Sequence, residues 1–232
     1  MDLVIEGARQ AMIMLFTGDP ELWSVIWLSL QVSGTATLLS LLLGIPIGTV
    51  LALTDFPGRR IIVSLVNTAM GLPPVVVGLF VTILLWRSGP LGFLRLLYTP
   101  AAMVIAQCIL ATPIVTGLTL AAMQALNPKL RLQILALGAT RIQLLWLLIR
   151  EARLPLLAAI MAGFGGAISE VGASMMVGGN IQGQTRVLTT AAVMETARGN
   201  FAMAIALSLV LLLLMLCVNA VLTMIQQHRR PL

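Results

Sequence analysis

Residues 201–225 read FAMAIALSLVLLLLMLCVNAVLTMI, twenty-five consecutive positions without a charged side chain. About twenty apolar residues in a helix span the ~30 Å hydrocarbon core of a bilayer, so this run predicts a membrane-crossing helix. Four further apolar blocks lie upstream, at about 22–53, 61–86, 101–126 and 154–177. The whole chain agrees with them: of 232 residues 59% are hydrophobic and 9% charged, with a mean hydropathy of +1.03. That leaves too little polar surface to cover a water-soluble globule. The expected fold class is all-α, a polytopic membrane protein of about five transmembrane helices, with residues 1–232 forming a single membrane domain.

The blocks differ in detail. The first is longer than a bilayer requires, fits one long or tilted helix, and ends at TDFPGRR, residues 54–60. The second contains GLPP at 71–74, where two prolines remove backbone donors and predict a broken or kinked helix at mid-span, with protein or water around the break. The third holds Pro113 and stops at Asn127-Pro128. Ahead of them, residues 1–18 lack the cleavage pattern of a signal peptide and are expected to remain in the mature chain. Ile5, Met12 and Phe16, with Ala8 between them, fall at helical spacing, which suits either an amphipathic helix on the outer membrane surface or a frayed apolar terminus.

Orientation follows from the basic residues. With five spans, Arg59, Arg60, Lys129, Arg131, Arg141, Arg150, Arg153, Arg229 and Arg230 share one side, nine against the five of Arg9, Arg87, Arg95, Arg186 and Arg198. The richer side is the cytoplasm, which puts the N-terminus outside and the C-terminus in the cytoplasm.

Several function classes are excluded. The net charge of +6 comes from short loops rather than from a stripe able to track phosphates, and no aromatic platform accompanies it, so nucleic acid is not a partner. Cys108 and Cys217 lie inside apolar blocks, and His228 is the single histidine. Neither a disulfide framework, a metal site nor a nucleophile and base pair is implied, and no enzyme is expected. Nothing like GxxxxGK[ST] occurs, and the one lysine, Lys129, follows a proline, so the chain cannot cradle ATP itself. A secondary transporter or channel should show repeated halves or more intramembrane charge than Glu170 alone.

Residues 127–153 differ in kind, carrying five basic residues among apolar ones at helical spacing. The stretch LQILALGATRIQLLWLLIREARLP, residues 132–155, predicts helix, turn, helix. Leu132, Leu135 and Ala136 form an apolar face, Gly138 allows the chain to turn, and Thr140 is placed to cap the second helix. Such a face suits a groove on a cytoplasmic partner or a bed of lipid headgroups. In the fourth block Glu170 follows Leu154 by sixteen residues, roughly 24 Å along a continuous helix. An ionised Glu there would repel an anion, so a structural or gating role is expected rather than substrate contact. Gly163, Gly165, Gly166, Gly172 and Ala173 flatten one face of that helix for close packing. Ser169, Ser174 and Asn180 are candidates for passing hydrogen bonds to an ion, and Arg186 for attracting it.

The 132–155 stretch resembles the EAA loop of bacterial ABC importer permeases. Gly138, Ala139 and Thr140 fit its G-A-S/T core and Leu154-Pro155 its LP, about one helical turn late, while Leu132, Gln133 and Ile134 stand where the family has E-A-A. SEVGASMMVGGNIQGQTRVLTTA, residues 169–191, resembles the GEFGA...GNI.G.T segment of permeases for tetrahedral oxyanions, in the form most like tungstate importers. PPVVVGLF at 73–80 resembles the PPVV.G element of the same group. The resemblance implies a type I ABC importer permease in the bacterial cytoplasmic membrane, paired with a second copy of itself. It implies two cytoplasmic ATPase subunits, holding ATP and Mg, that dock on the 127–153 loop through Leu132, Leu135, Ala136, Gly138, Ala139 and Thr140. An extracytoplasmic oxyanion-binding protein would deliver tungstate, or alternatively molybdate or sulfate.

Overall fold

The computed structural model describes residues 2–227; His228, and Arg229 and Arg230, which entered the topology count, lie outside the described residues. Among the described residues the regular structure is helical. It runs α1 Asp2–Thr17, α2 Pro20–Leu53, α3 Arg59–Ala69, α4 Pro74–Leu85, α5 Pro100–Gln124, α6 Pro128–Ala136, α7 Arg141–Glu151, α8 Arg153–Ile168, α9 Gly172–Gly178, α10 Leu188–Ala197 and α11 Phe201–Gln227. Helices α2, α5 and α11 are each long and apolar enough to cross a bilayer. The pairs α3/α4 and α8/α9 qualify as broken spans, so the chain makes up to five passes.

Four of these helices begin at a proline in their first turn, where the missing N–H has no intrahelical partner to lose. In three of them the preceding side chain caps the helix. Asp19 accepts from the backbone N–H of Glu21 and Leu22, Thr99 from Ala102, and Asn127 from Lys129.

Of the two broken spans, the one at GLPP falls where the sequence predicts a break, and the other corrects an expected continuous helix. At GLPP the chain turns by 100° between α3 and α4, far beyond a kink. The hinge is seated on α5: a Cβ on Gly117 would lie 2.5 Å from the Met70 sulfur, so a larger residue there would displace the Met70 side chain. The fourth block is interrupted as well, by a 54° bend between α8 and α9 that puts Glu170 in the break rather than on a continuous helix. At the break the backbone tightens to an i→i−3 bond, Glu170 N donating to Ala167 O at 3.2 Å. The Ser169 hydroxyl donates back to the Gly165 carbonyl at 2.7 Å, and the Glu170 carboxylate caps the helix that restarts. The small residues therefore do not share one face. Gly163 on α8 meets Val115 of α5, whereas Gly172 and Ala173 on α9 pack against Val75 and Gly78 of α4.

The body is organised around α2 and α5. Gly44 and Gly48, one turn apart in GIPIG, bring the two backbones together. A Cβ on Gly44 would lie 2.9 Å from the Val115 Cβ, and one on Gly48 2.6 Å from the Thr116 carbonyl oxygen. Small residues do this in membranes, where close packing and not water exclusion holds helices together. On the flank, α1 lies against α11 with Gly7 over Ile205 and Ala11 buried, while Ile5, Met12 and Phe16 point away from the protein.

Candidate functional site

Three places bear on function: the 127–153 loop at one end of the helix bundle, the break around Glu170, and the outer turn at 179–187.

In the loop, Asn127 and Pro128 start α6, which turns at Leu137 and Gly138 into α7. Gly138 has φ +82°, a left-handed conformation that glycine adopts without strain. Thr140 opens α7 with a capping box: its hydroxyl accepts from Gln143 N at 3.3 Å, and Gln143 Oε1 accepts from Thr140 N at 2.8 Å. Ile134 of α6 and Leu144 and Leu148 of α7 turn inward onto Met123 and Leu156, forming a small core beneath the knob. Two guanidiniums tie this end to the last turn of α2, Arg59 Nε donating to Leu51 O at 2.6 Å and Arg131 Nη1 to Leu53 O at 3.2 Å. With the inner face committed, Leu132, Leu135 and Ala136 are left exposed on the tip of the hairpin, as are Gly138 and Thr140, and Ala139 is half-buried. Leu137 and Ile142 extend the tip, 87% and 80% exposed. Sequence reading passed over both because they flank the turn instead of repeating at helical spacing, although two large apolar residues beside a glycine turn were a usable signal.

At the break, Glu170 is 7% exposed, and its Oε1 accepts the Ala173 N–H at 2.7 Å. Its backbone carbonyl accepts from Thr189 Oγ1 at 3.0 Å, which ties the break to α10. The start of α10 is held to α2 in turn, Leu188 N donating to Ser29 Oγ at 2.9 Å. Ser174 is fully buried and accepts from Gln107 Nε2 of α5 at 3.1 Å, so it stands in helix packing and not on an open surface. Ser169 is exposed, but its hydroxyl donates to its own helix. The chain brings Glu170 and Ser174 to the α4–α5–α9 contact and leaves Ser169 at its edge.

The outer turn is built on Thr185, which is fully buried, donates to Gly178 O at 2.5 Å and accepts from Ile181 N at 3.0 Å. Asn180 takes a left-handed conformation at φ +51° directly after Gly179 at φ +71°, and its Oδ1 is buried without a partner. Arg186 is held and not free: its Nη1 lies 3.5 Å from Glu21 Oε1, which also accepts from Gln182 Nε2 at 2.7 Å. This contact joins the turn to the start of α2. A latch and a steering charge make opposite predictions. If Arg186 works as a latch, Arg186→Ala and Glu21→Gln should lower uptake by a similar small factor at every ionic strength. If Arg186 steers the anion, Glu21→Gln should raise uptake at low salt, by unmasking positive charge, and Arg186→Ala should lower it. Initial uptake rates across a salt series separate the two.

Residues 44–231 match the family described as binding-protein-dependent transport system inner membrane component. The chain belongs to that family. Among its relatives are two proteins named tungstate uptake system permease protein TupB. The one from Peptoclostridium acidaminophilum is 42% identical over 98% of this chain and all of its own length. The one from Campylobacter jejuni is 38% identical over 94% of this chain and 92% of its own. The structure of the MetNI methionine ABC transporter in inward-facing conformations superposes with a TM-score of 0.75, covering 92% of this chain and 99% of that one at 20% identity. The fold is thus that of a type I ABC transporter permease, and as an inner membrane component of this family the protein is a multi-pass membrane protein.

Proposed function

We infer that the chain is the permease subunit of an ATP-driven importer, carrying a tetrahedral oxyanion, tungstate, into the cytoplasm by alternating access as a homodimer. One observation carries the substrate: the likeness to two tungstate uptake permeases runs along nearly the whole chain, including the outer turn and the break at Glu170. ATP coupling is supported by the exposed apolar tip around Leu137 and Gly138, at the end of the bundle richest in basic residues, which the positive-inside pattern assigns to the cytoplasm. Two ATPase subunits holding ATP and Mg would dock there, through Leu132, Leu135, Ala136, Gly138, Ala139 and Thr140. A binding protein would deliver the anion at the opposite end, near Asn180 and Arg186. Dimer formation is supported by α3, which buries none of its residues, and by the exposed Val75, Leu79, Phe80 and Ile83 of α4, a face that a second copy would cover.

The test is uptake into proteoliposomes that hold this chain together with its ATPase and binding protein. Tungstate should accumulate only with ATP present on the ATPase side, with excess molybdate competing less well than unlabelled tungstate and sulfate competing least. Accumulation at the same rate without ATP would remove the ATP-driven reading, and preferred accumulation of molybdate or sulfate would remove tungstate.

A further inference from the structure

A groove of about 550 Å³ runs between α2, α8 and α11 beneath the end of α7. Its walls are hydrocarbon, from Ile45, Leu157, Ile160 and Ile225, and α11 is joined to the start of α8 nearby, where Gln226 Nε2 donates to the carbonyl of the lining residue Leu154 at 3.4 Å. At the end where α7 gives way to α8, the lining changes to Arg150 and Arg153. The exposed Arg150 guanidinium lies 5.2 Å from the ring centroid of Trp146, which also lines the groove, a contact that favours its position at this end. Among the described residues no carboxylate lies within 4 Å of either guanidinium, and Glu151, between them in sequence, is absent from the lining.

An apolar trough in the membrane body, closed at its aqueous end by two arginines without acidic partners, has the chemistry of a bound amphiphile with an anionic head. Neither half suffices for another occupant. A free anion has no use for the hydrocarbon walls, and a zwitterionic lipid brings a second charge that two guanidiniums repel. We propose that the groove holds one anionic phospholipid of the cytoplasmic leaflet, its phosphate between Arg150 and Arg153 and an acyl chain along Ile45, Leu157, Ile160 and Ile225. The lipid then braces the joint where the 127–153 loop enters the membrane body. This site depends on the membrane fold and on the loop lying at the cytoplasmic face, and is independent of which ion is carried. Near a membrane surface each basic residue strengthens attraction to anionic lipid enough that two of them give a preference on the order of tenfold or more over a zwitterionic lipid.

Trp146 provides the probe. With Trp23, Trp27 and Trp86 changed to Phe, the chain is reconstituted in phosphatidylcholine vesicles containing an equal fraction of brominated phosphatidylglycerol or brominated phosphatidylcholine. Brominated phosphatidylglycerol should quench Trp146 several-fold more strongly. The excess should vanish in Arg150→Gln/Arg153→Gln and survive in Arg150→Lys/Arg153→Lys. It should also survive in Arg60→Gln, which removes one exposed basic residue away from the groove. Equal quenching by the two lipids overturns the proposal. So does an equal loss in Arg60→Gln, which would make the effect one of general surface charge, or loss of the excess to inorganic phosphate at matched ionic strength, which would make the ligand a free anion. Native mass spectrometry of the unaltered chain, released from vesicles of equal phosphatidylglycerol and phosphatidylcholine, does not depend on any variant folding. It should retain one phosphatidylglycerol; retention of both lipids alike, or of neither, overturns the site.

Discussion

Gly138→Glu is expected to lower the stimulation of ATP hydrolysis by loaded binding protein about a thousandfold or more, while the permease still inserts in the membrane. Two effects add. At φ +82° any L-residue is strained, at a cost of about 1–2 kcal/mol. No atom lies within 4 Å of an added Cβ, so that strain is conformational and not steric. The larger effect is the carboxylate: with the tip docked on the ATPase as proposed, it would sit unpaired among Leu135, Leu137 and Ile142 in a largely desolvated contact. An uncompensated charge in such a contact costs about 3 kcal/mol or more, and 1.4 kcal/mol is a factor of ten. Gly138→Ala isolates the strain and should keep a reduced but measurable response. The spans are remote from the turn, so yield and oligomeric state should match the unaltered protein. The deciding measurement is ATPase activity of the purified complex with and without binding protein and oxyanion. Normal stimulation in Gly138→Glu would withdraw the 127–153 loop as the coupling element.

A comparable loss, this time of stability, is expected for Glu170→Ala. The carboxylate is buried in the break and its Oε1 accepts the Ala173 N–H at 2.7 Å. Truncation leaves that donor without a partner where water is scarce and removes the cap of α9, together about 3 kcal/mol. Helix α9 carries the close contact with α4, where a Cβ on Gly78 would lie 2.7 Å from the Ala173 Cα, so loosening it loosens the hinge beside GLPP. Glu170→Gln keeps an oxygen acceptor and should retain most of the stability. Thermal unfolding of the purified permease in detergent, alongside uptake, distinguishes capping from a direct role for the charge. If Gln and Ala abolish uptake equally while neither lowers the unfolding temperature, the charge acts on transport itself and the capping role falls.

Much of the fold was legible because its determinants are local. The length of an apolar run is set against bilayer thickness, proline cannot continue a helix from within, and a threonine after a glycine turn can cap the helix that follows. These features delimited the five blocks, the break at GLPP and the hairpin of α6 and α7. The interruption at 169–171 was missed for a local reason too: a glutamate side chain caps the helix that restarts, and no proline announced the break. Helix α10 was also missed, since TTAAVMETA is neither apolar enough for a span nor periodic enough for a surface helix.

By itself, then, the sequence determined that this protein crosses the membrane about five times, where most of its helices start, and which loop turns at a glycine. Only the tertiary structure decided which apolar faces pack. It set Gly44 and Gly48 against Val115 and Thr116, buried Ser174 on Gln107, paired Arg186 with Glu21 across most of the chain length, and opened a groove that ends in Arg150 and Arg153. The physical reason lies in the solvent. In water a helix betrays its buried face by hydrophobic periodicity, but in a bilayer the face toward lipid and the face toward protein are both apolar, so the choice between them rests on shape and on distant polar partners that no local pattern records.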